Sequence, residues 1–265
     1  MADIGWRGDG LFRESGRMNR QLISHIAHSD HQIAAPITEA NLDNLLVRAK
    51  LPARARILDL GCGEGVWILR ALSLYPDATA DGVDISPEGL ASAAEAAKAL
   101  GLADHVRFHQ SPADDFDGSG YDLVLCVGAT HAFGGLTATV EAIRRFVKPG
   151  GLALVGEGFW ETPPGADVLT LLGAEPDEYG DLAATVARAE TAGFATIYAH
   201  TSEIAEWDEY EWSWTGSLLR WAHEHPGPDG DAAREAALDH RNMWLNGYRG
   251  VLGFVTLLLK DTTAP

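Results

Sequence analysis

"ILDLGCGEGVWILRAL", residues 57–72, places Gly61, Gly63 and Gly65 within five positions, directly behind Asp59. An apolar run leads in and a helical pattern follows. Glycine permits backbone angles and close approaches that a Cβ forbids. The stretch therefore reads either as bare backbone against a ligand or as a tight turn with none. In open α/β sheets a strand-to-helix turn of this kind lies where ligands bind, beyond the carboxyl ends of the strands. The helix that follows would present free N–H groups and a positive dipole end.

On either side the chain alternates strand and helix patterns. "RILDL" is a strand and "GVWILRALSLY" a helix; "ATADGVDIS" is a strand ending at Asp84. "SPEGLASAAEAAKALG" is a helix capped by Ser86, with Pro87 in its first turn and Gly101 as its stop. "VRFHQS", "YDLVLCVGA", "GLALVGE" and "FATIYAHTS" read as further strands, with helices at "LTATVEAIRRFV" and "YGDLAATVARAETAG". This order predicts an α/β, doubly wound, parallel sheet. Two helices around Pro36 come first, making residues 1–50 a helical lid and 51–202 the core. After Ser202 come two tryptophan-rich helices and the strand "VLGFVTLLLK", so 203–265 is a helical insertion plus the last strand of the same domain. "HEHPGPDGD", 223–231, is the most loop-like stretch.

The chain has 265 residues, 46% hydrophobic and 22% charged, ordinary values for one globular domain. Its net charge of −18 comes with no basic cluster. That balance argues against nucleic acid or an anionic membrane as partner. Two cysteines give neither a disulfide framework nor a zinc pair. There is no secretory pattern at the start and no membrane-length apolar run, so a cytoplasmic protein is expected.

A dinucleotide site wants G-x-G-x-x-G, and Gly65 stands one place too early for it. Asp59 and Glu64 would repel a pyrophosphate but accept an ammonium group. "DLGCGEG" resembles motif I, D/E-x-G-x-G-x-G, of the class I S-adenosylmethionine-dependent methyltransferases. The resemblance is firm over residues 50–160. "IAHSD" (26–30), "CVGATHAFGG" (126–135), "GEGFW" (156–160) and "WDEY" (207–210) resemble a bacterial, small-molecule-type subgroup. It implies a Rossmann-like seven-stranded sheet, N-terminal lid helices, a helical insertion before the last strand, and S-adenosyl-L-methionine as cofactor. It assigns Asp59, Gly61, Cys62, Gly63 and Gly65 to the cofactor loop, and Asp84, with Ile85 beside it, to the ribose. Where Pro112 stands the family often has an acid, so the adenine contact passes to Ala113 and Asp114, with Asp115 in reserve. Val127 and Gly128 close the site from strand four.

The acceptor should sit at the ends of strands four and five. Amino-group methyltransferases for DNA and protein glutamine carry N/D-P-P-Y/F there. Gly128-Ala129-Thr130-His131 stands there instead, which argues against those substrates, and the subgroup resemblance implies a small-molecule acceptor. His131 is the candidate base, since imidazole titrates near neutrality; the alternative is a hydrogen-bonded lid histidine. Glu157 could orient an acceptor, or be a solvated strand-end acid. Trp160, Tyr210, Trp214 and Tyr248 could wall a planar or cationic acceptor, or simply pack the core. His28 should face the cleft from the lid. His25, His28 and His31 recur every third residue, but no metal is expected. The reading is of a methyltransferase of specialised metabolism, a monomer or homodimer. A non-catalytic binder of the same cofactor and an NAD(P)-dependent oxidoreductase are the alternatives.

Overall fold

The computed structural model describes residues 20–263. The first nineteen residues of the expected lid lie outside them. The lid helices are α1 (Arg20–Ala27) and α2 (Glu39–Arg48), the second capped by the Thr38 hydroxyl on the Asn41 amide. Then come β1 (Arg56–Leu60), α3 (Val66–Leu74), β2 (Thr79–Asp84), α4 (Pro87–Ala99) and β3 (Val106–Gln110). β4 (Tyr121–Val127), α5 (Leu136–Ile143), β5 (Val147–Trp160), α6 (Ala166–Leu172), α7 (Leu182–Glu190) and β6 (Phe194–Thr201) follow. The chain ends with α8 (Ile204–Glu224), α9 (Pro228–Met243), a π-helical turn over Trp244–Tyr248, and β7 (Leu252–Asp261).

All seven strands share one sheet, in the order β3-β2-β1-β4-β5-β7-β6. β1 to β5 are parallel, whereas β7 runs antiparallel to both neighbours. The sheet is thus mixed, which corrects the all-parallel expectation. An unbroken apolar run such as "VLGFVTLLLK" marks a strand buried on both faces but carries no information about its direction.

Strand order reverses between β1 and β4, which opens a crevice beyond their carboxyl ends. Alternating residues of these strands feed two cores. Ile57, Leu123 and Leu125 pack with Leu42, Trp67 and Ile68 on one face. Leu58, Val124 and Cys126 pack with Val140, Ile143 and Ala189 on the other. A third core joins Ile23, Ile26 and Ala27 of α1 to Tyr210, Trp214 and Leu218 of α8 and to Ala233 and Ala237 of α9. The insertion therefore carries α1.

Three local expectations change. β5 runs on to Trp160, so Glu157 and Trp160 lie within the strand rather than after it. α6 was not anticipated. The stretch at 223–231 is mostly helical and breaks only at 225–227, because Pro228 suits the first turn of α9, where its missing N–H costs nothing.

Candidate functional site

One cavity of about 1510 Å³ runs from the glycine loop, across the ends of β4 and β5, to α7. At the loop, Gly61, Gly63 and Gly65 have φ of 76°, 52° and 80°, the left-handed region. A Cβ on Gly61 would stand 2.4 Å from Ala129 Cβ, so β4 can pass only a glycine there. A Cβ on Gly63 would meet no protein atom within 4 Å, which leaves room for close approach. Gly65 packs on Ala93 and, like Gly128, shapes backbone outside the cavity wall.

The amides of this loop are not bare. Gly61 N and Cys62 N donate to Val83 O at 2.8 and 3.0 Å, and Gly65 N donates to Cys62 O at 2.8 Å. Gly63 N donates to Asp84 Oδ2 at 2.8 Å. A phosphate site needs free N–H groups, so this loop offers space and acids instead. The expectation of exposed donors is corrected, and a pyrophosphate is disfavoured a second time.

Asp59 is buried, and its Oδ2 has no hydrogen-bond partner. Burial, then the nearby Asp84 charge, lifts its carboxyl to about 8. Asp84 also receives Ser86 N on Oδ1 at 2.8 Å. A carboxylate has about four lone-pair positions, so Asp84 retains capacity on the side that lines the cavity. Ile85 beside it is 64% exposed and forms an apolar wall. Cys62, Ala113, Asp114 and Val127 line the cavity, whereas Asp115 does not.

Toward the other end, Glu157 is buried, and burial lifts its carboxyl to about 7 against the pull of the Gly158 amide and the Thr130 hydroxyl. It is not the solvated acid that its place near a strand end suggested. His131 lines the same space from an exposed 3-10 turn over Thr130–Phe133. His28 is buried, and that burial takes its imidazole down to about 4. Its Nδ1 donates to Ser24 O at 2.8 Å, which leaves Nε2 to accept from Tyr210 OH at 3.2 Å. His25 Nδ1 lies 2.7 Å from Glu64 Oε1, so α1 closes over the glycine loop.

The expected aromatic wall is corrected. None of Trp160, Tyr210, Trp214 and Tyr248 lines the cavity, whereas His28 and His131 do. Tyr210 stands behind His28. Trp160 donates its indole N–H to Pro176 O at 3.3 Å, turned toward Tyr179. Trp214 is 1% exposed and stacks on His240 at 3.9 Å. Tyr248 OH donates to Glu211 Oε1 at 2.5 Å. These rings serve packing because long helices bury their largest apolar face first. The cavity is lined instead by Thr130, Tyr179, Thr185 and Arg188, which carried no local sequence signal. α1 ends before His28, and His31 bonds Ala35 O, so the three histidines part company. Among the described residues no cluster could hold a metal and no helix is long and apolar enough to cross a membrane.

Residues 57–151 match the family model described as a methyltransferase domain. The uncharacterized protein YjhP of Escherichia coli (strain K12) is 29% identical over 220 residues, spanning 82% of this chain and 88% of that protein. Two solved S-adenosyl-L-methionine-dependent methyltransferases in complex with S-adenosyl-L-homocysteine are similar at a TM-score of 0.82. The one from Geobacter sulfurreducens is 28% identical, with 89% of this chain and 96% of that chain covered. The one from Thiobacillus denitrificans is 27% identical, with 91% and 98% covered. With the sheet order and the acid-led glycine loop, these matches show a methyltransferase domain at residues 57–151 within a class I S-adenosylmethionine-dependent methyltransferase fold.

Proposed function

We propose that the chain methylates a small-molecule acceptor bound at the Glu157 end of the cavity, with the cofactor at the glycine-loop end. The observation that carries this is the single continuous cavity. At about 1510 Å³ it exceeds the roughly 300–1,000 Å³ that one ligand site usually occupies.

The cofactor's chemical groups fit the residues present. Its ammonium matches Asp59, whose Oδ2 is buried without a partner. The ribose hydroxyls match the remaining lone pairs of Asp84. The adenine matches the pocket of Ile85, Ala113 and Asp114. The methionine portion can lie against Gly61, Cys62 and Gly63, where a Cβ on Gly63 would intrude. Val127 closes the floor.

When bound, the cofactor supplies a methyl group on a sulfonium, already activated for in-line displacement. The chain's task is position and proton handling. Glu157, with its carboxyl near 7, is the base for an acceptor that must lose a proton, and the proton moves to that carboxylate. His131 at the rim is the second base. His28, held neutral and oriented by Tyr210 and Ser24, presents an uncharged wall to the acceptor.

Titration calorimetry with S-adenosylhomocysteine tests the reading. Wild-type protein should bind, and Asp84→Ala should lose about 1.5–3 kcal/mol for each charge-assisted hydrogen bond removed. Silence of the wild type at high micromolar ligand would overturn it.

A further inference from the structure

Past Glu157 the cavity continues along Gly158, Tyr179 and Gly180 to Thr185 and Arg188. Arg188 is the one lysine or arginine among the lining residues. It is half-buried, and among the described residues its guanidinium has no hydrogen bond or ion pair. Arg241 is likewise partly buried without such a partner, but it does not line the cavity. Arg70, Arg144, Arg145, Arg220 and Arg249 all donate to carboxylates, carbonyls or hydroxyls. A cation that lines a cavity without an acceptor of its own is open to an anionic ligand.

The acids in the same arm do not supply it. Glu175 and Glu178 are exposed at the rim, where water screens them, and Glu178 Oε2 accepts the Glu175 amide at 3.3 Å. Glu157 feels the Arg188 charge, which pulls its carboxyl down, but makes no hydrogen bond or ion pair with it, and burial outweighs that pull. Gly180 keeps the guanidinium accessible, since a Cβ there would stand 3.6 Å from Arg188 Nη2. Thr185 lies three residues earlier on α7, on the same helical face, and lines the same arm. A planar fork flanked by a hydroxyl matches a carboxylate, which can accept two parallel N–H bonds.

We propose that Arg188 anchors a carboxylate of the methyl acceptor, and that the acceptor class is therefore small organic acids, amphoteric ones included. The idea rests on the methyl-transfer reading for the word acceptor, but not for the binding itself. An acid entering this cavity meets a protein of net charge −18. Its capture depends on this one cation.

The test uses protein saturated with S-adenosylhomocysteine. Saturation is checked first, so that failure of cofactor binding is seen separately from failure of the anion subsite. Two isosteric pairs are then titrated by calorimetry: 4-hydroxybenzoate against 4-hydroxybenzamide, and glutarate against glutaramide. The acids should bind about tenfold or more tighter than the amides. Arg188→Met should erase that preference while S-adenosylhomocysteine affinity and melting temperature stay put. Arg188→Lys should restore part of it, because a point charge replaces the fork. Equal affinity within each pair, no binding by either member, or a preference that survives in Arg188→Met would overturn the proposal. So would tighter binding of pentane-1,5-diamine than of glutarate, since the arm would then select cations.

Discussion

Glu206 and Glu211 on α8 are as buried as Asp59 and Glu157 in the cavity, yet the two pairs are treated oppositely. Burial would raise Glu206. His200, Asn41 and the amides of Thr38 and Glu203 outweigh it and take the carboxyl down to about 2. Glu211 is held by Tyr248 OH at 2.5 Å and by His240 Nε2 at 2.7 Å. Asp59 keeps an oxygen with no partner, and Glu157 has only an amide and a hydroxyl, so burial wins and both rise. The number of donors decides the protonation of a buried acid, not its depth. Acids that are saturated hold the helical layer together. Acids left short of donors face the cavity, where a ligand can complete them.

The largest break in this contrast should come from the saturated side. Glu211→Ala removes the carboxylate that Tyr248 OH and His240 Nε2 share, leaving that pair its own 3.2 Å contact, in a core that also holds Trp214. Leaving buried partners unmet costs on the order of 3–5 kcal/mol. Urea unfolding should report that loss, with α1 loosened because α8 and α9 carry it. A change below about 1 kcal/mol would mean that the helical layer does not depend on the cluster.

The underpaired side should respond to pH instead. With its carboxyl raised to about 8 in the folded protein, Asp59 binds a proton in the native state that the unfolded chain has released. Its contribution is complete below about pH 4 and is lost as pH rises toward 8. Stability of the ligand-free protein should fall with rising pH across that window, by up to about 1.4 kcal/mol per unit. Asp59→Asn should flatten the fall. Glu206 runs the other way: its contribution is present above about 4.5 and is lost as pH drops toward 2. Melting temperatures across pH 2 to 9 separate the two, Glu206 acting below about pH 4.5 and Asp59 above it. A wild-type curve that rises through neutrality would refute the assignment to Asp59.

Legibility in the sequence follows the same division. The glycine loop could be read because its backbone angles demand glycine at fixed places, a local requirement. Asp84 could be read because a strand end and a helix cap flank it. The direction of β7 could not, since pairing between distant strands leaves no local mark. The tryptophans of α8 and α9 misled because apolar aromatics suit a core and a ligand wall equally well; only packing tells them apart. Glu157 looked solvated because the sequence places β5's end several residues too early. Arg188 looked like any charge on an amphipathic helix. What distinguishes it is its place on the cavity wall, and that becomes visible only in three dimensions.

The smallest effect on folding is expected at Glu157, and that is what makes it informative. Glu157→Gln keeps the volume and the oxygen that accepts Gly158 N at 2.9 Å. With its carboxyl raised to about 7, the native group is largely neutral below that pH, so an amide replaces it there at little cost, within about 1 kcal/mol. Turnover should behave differently. As a base Glu157 must be ionised, so the wild-type rate should rise as pH passes upward through about 7. Glu157→Gln should lose that rise and about a hundredfold in rate, with S-adenosylhomocysteine affinity unchanged. If the rise persists in the variant, the proton goes elsewhere and His131 inherits the role. If instead the variant unfolds like Glu211→Ala, Glu157 belongs with the structural acids, and the division between saturated and unsaturated carboxyls fails at its most exposed point.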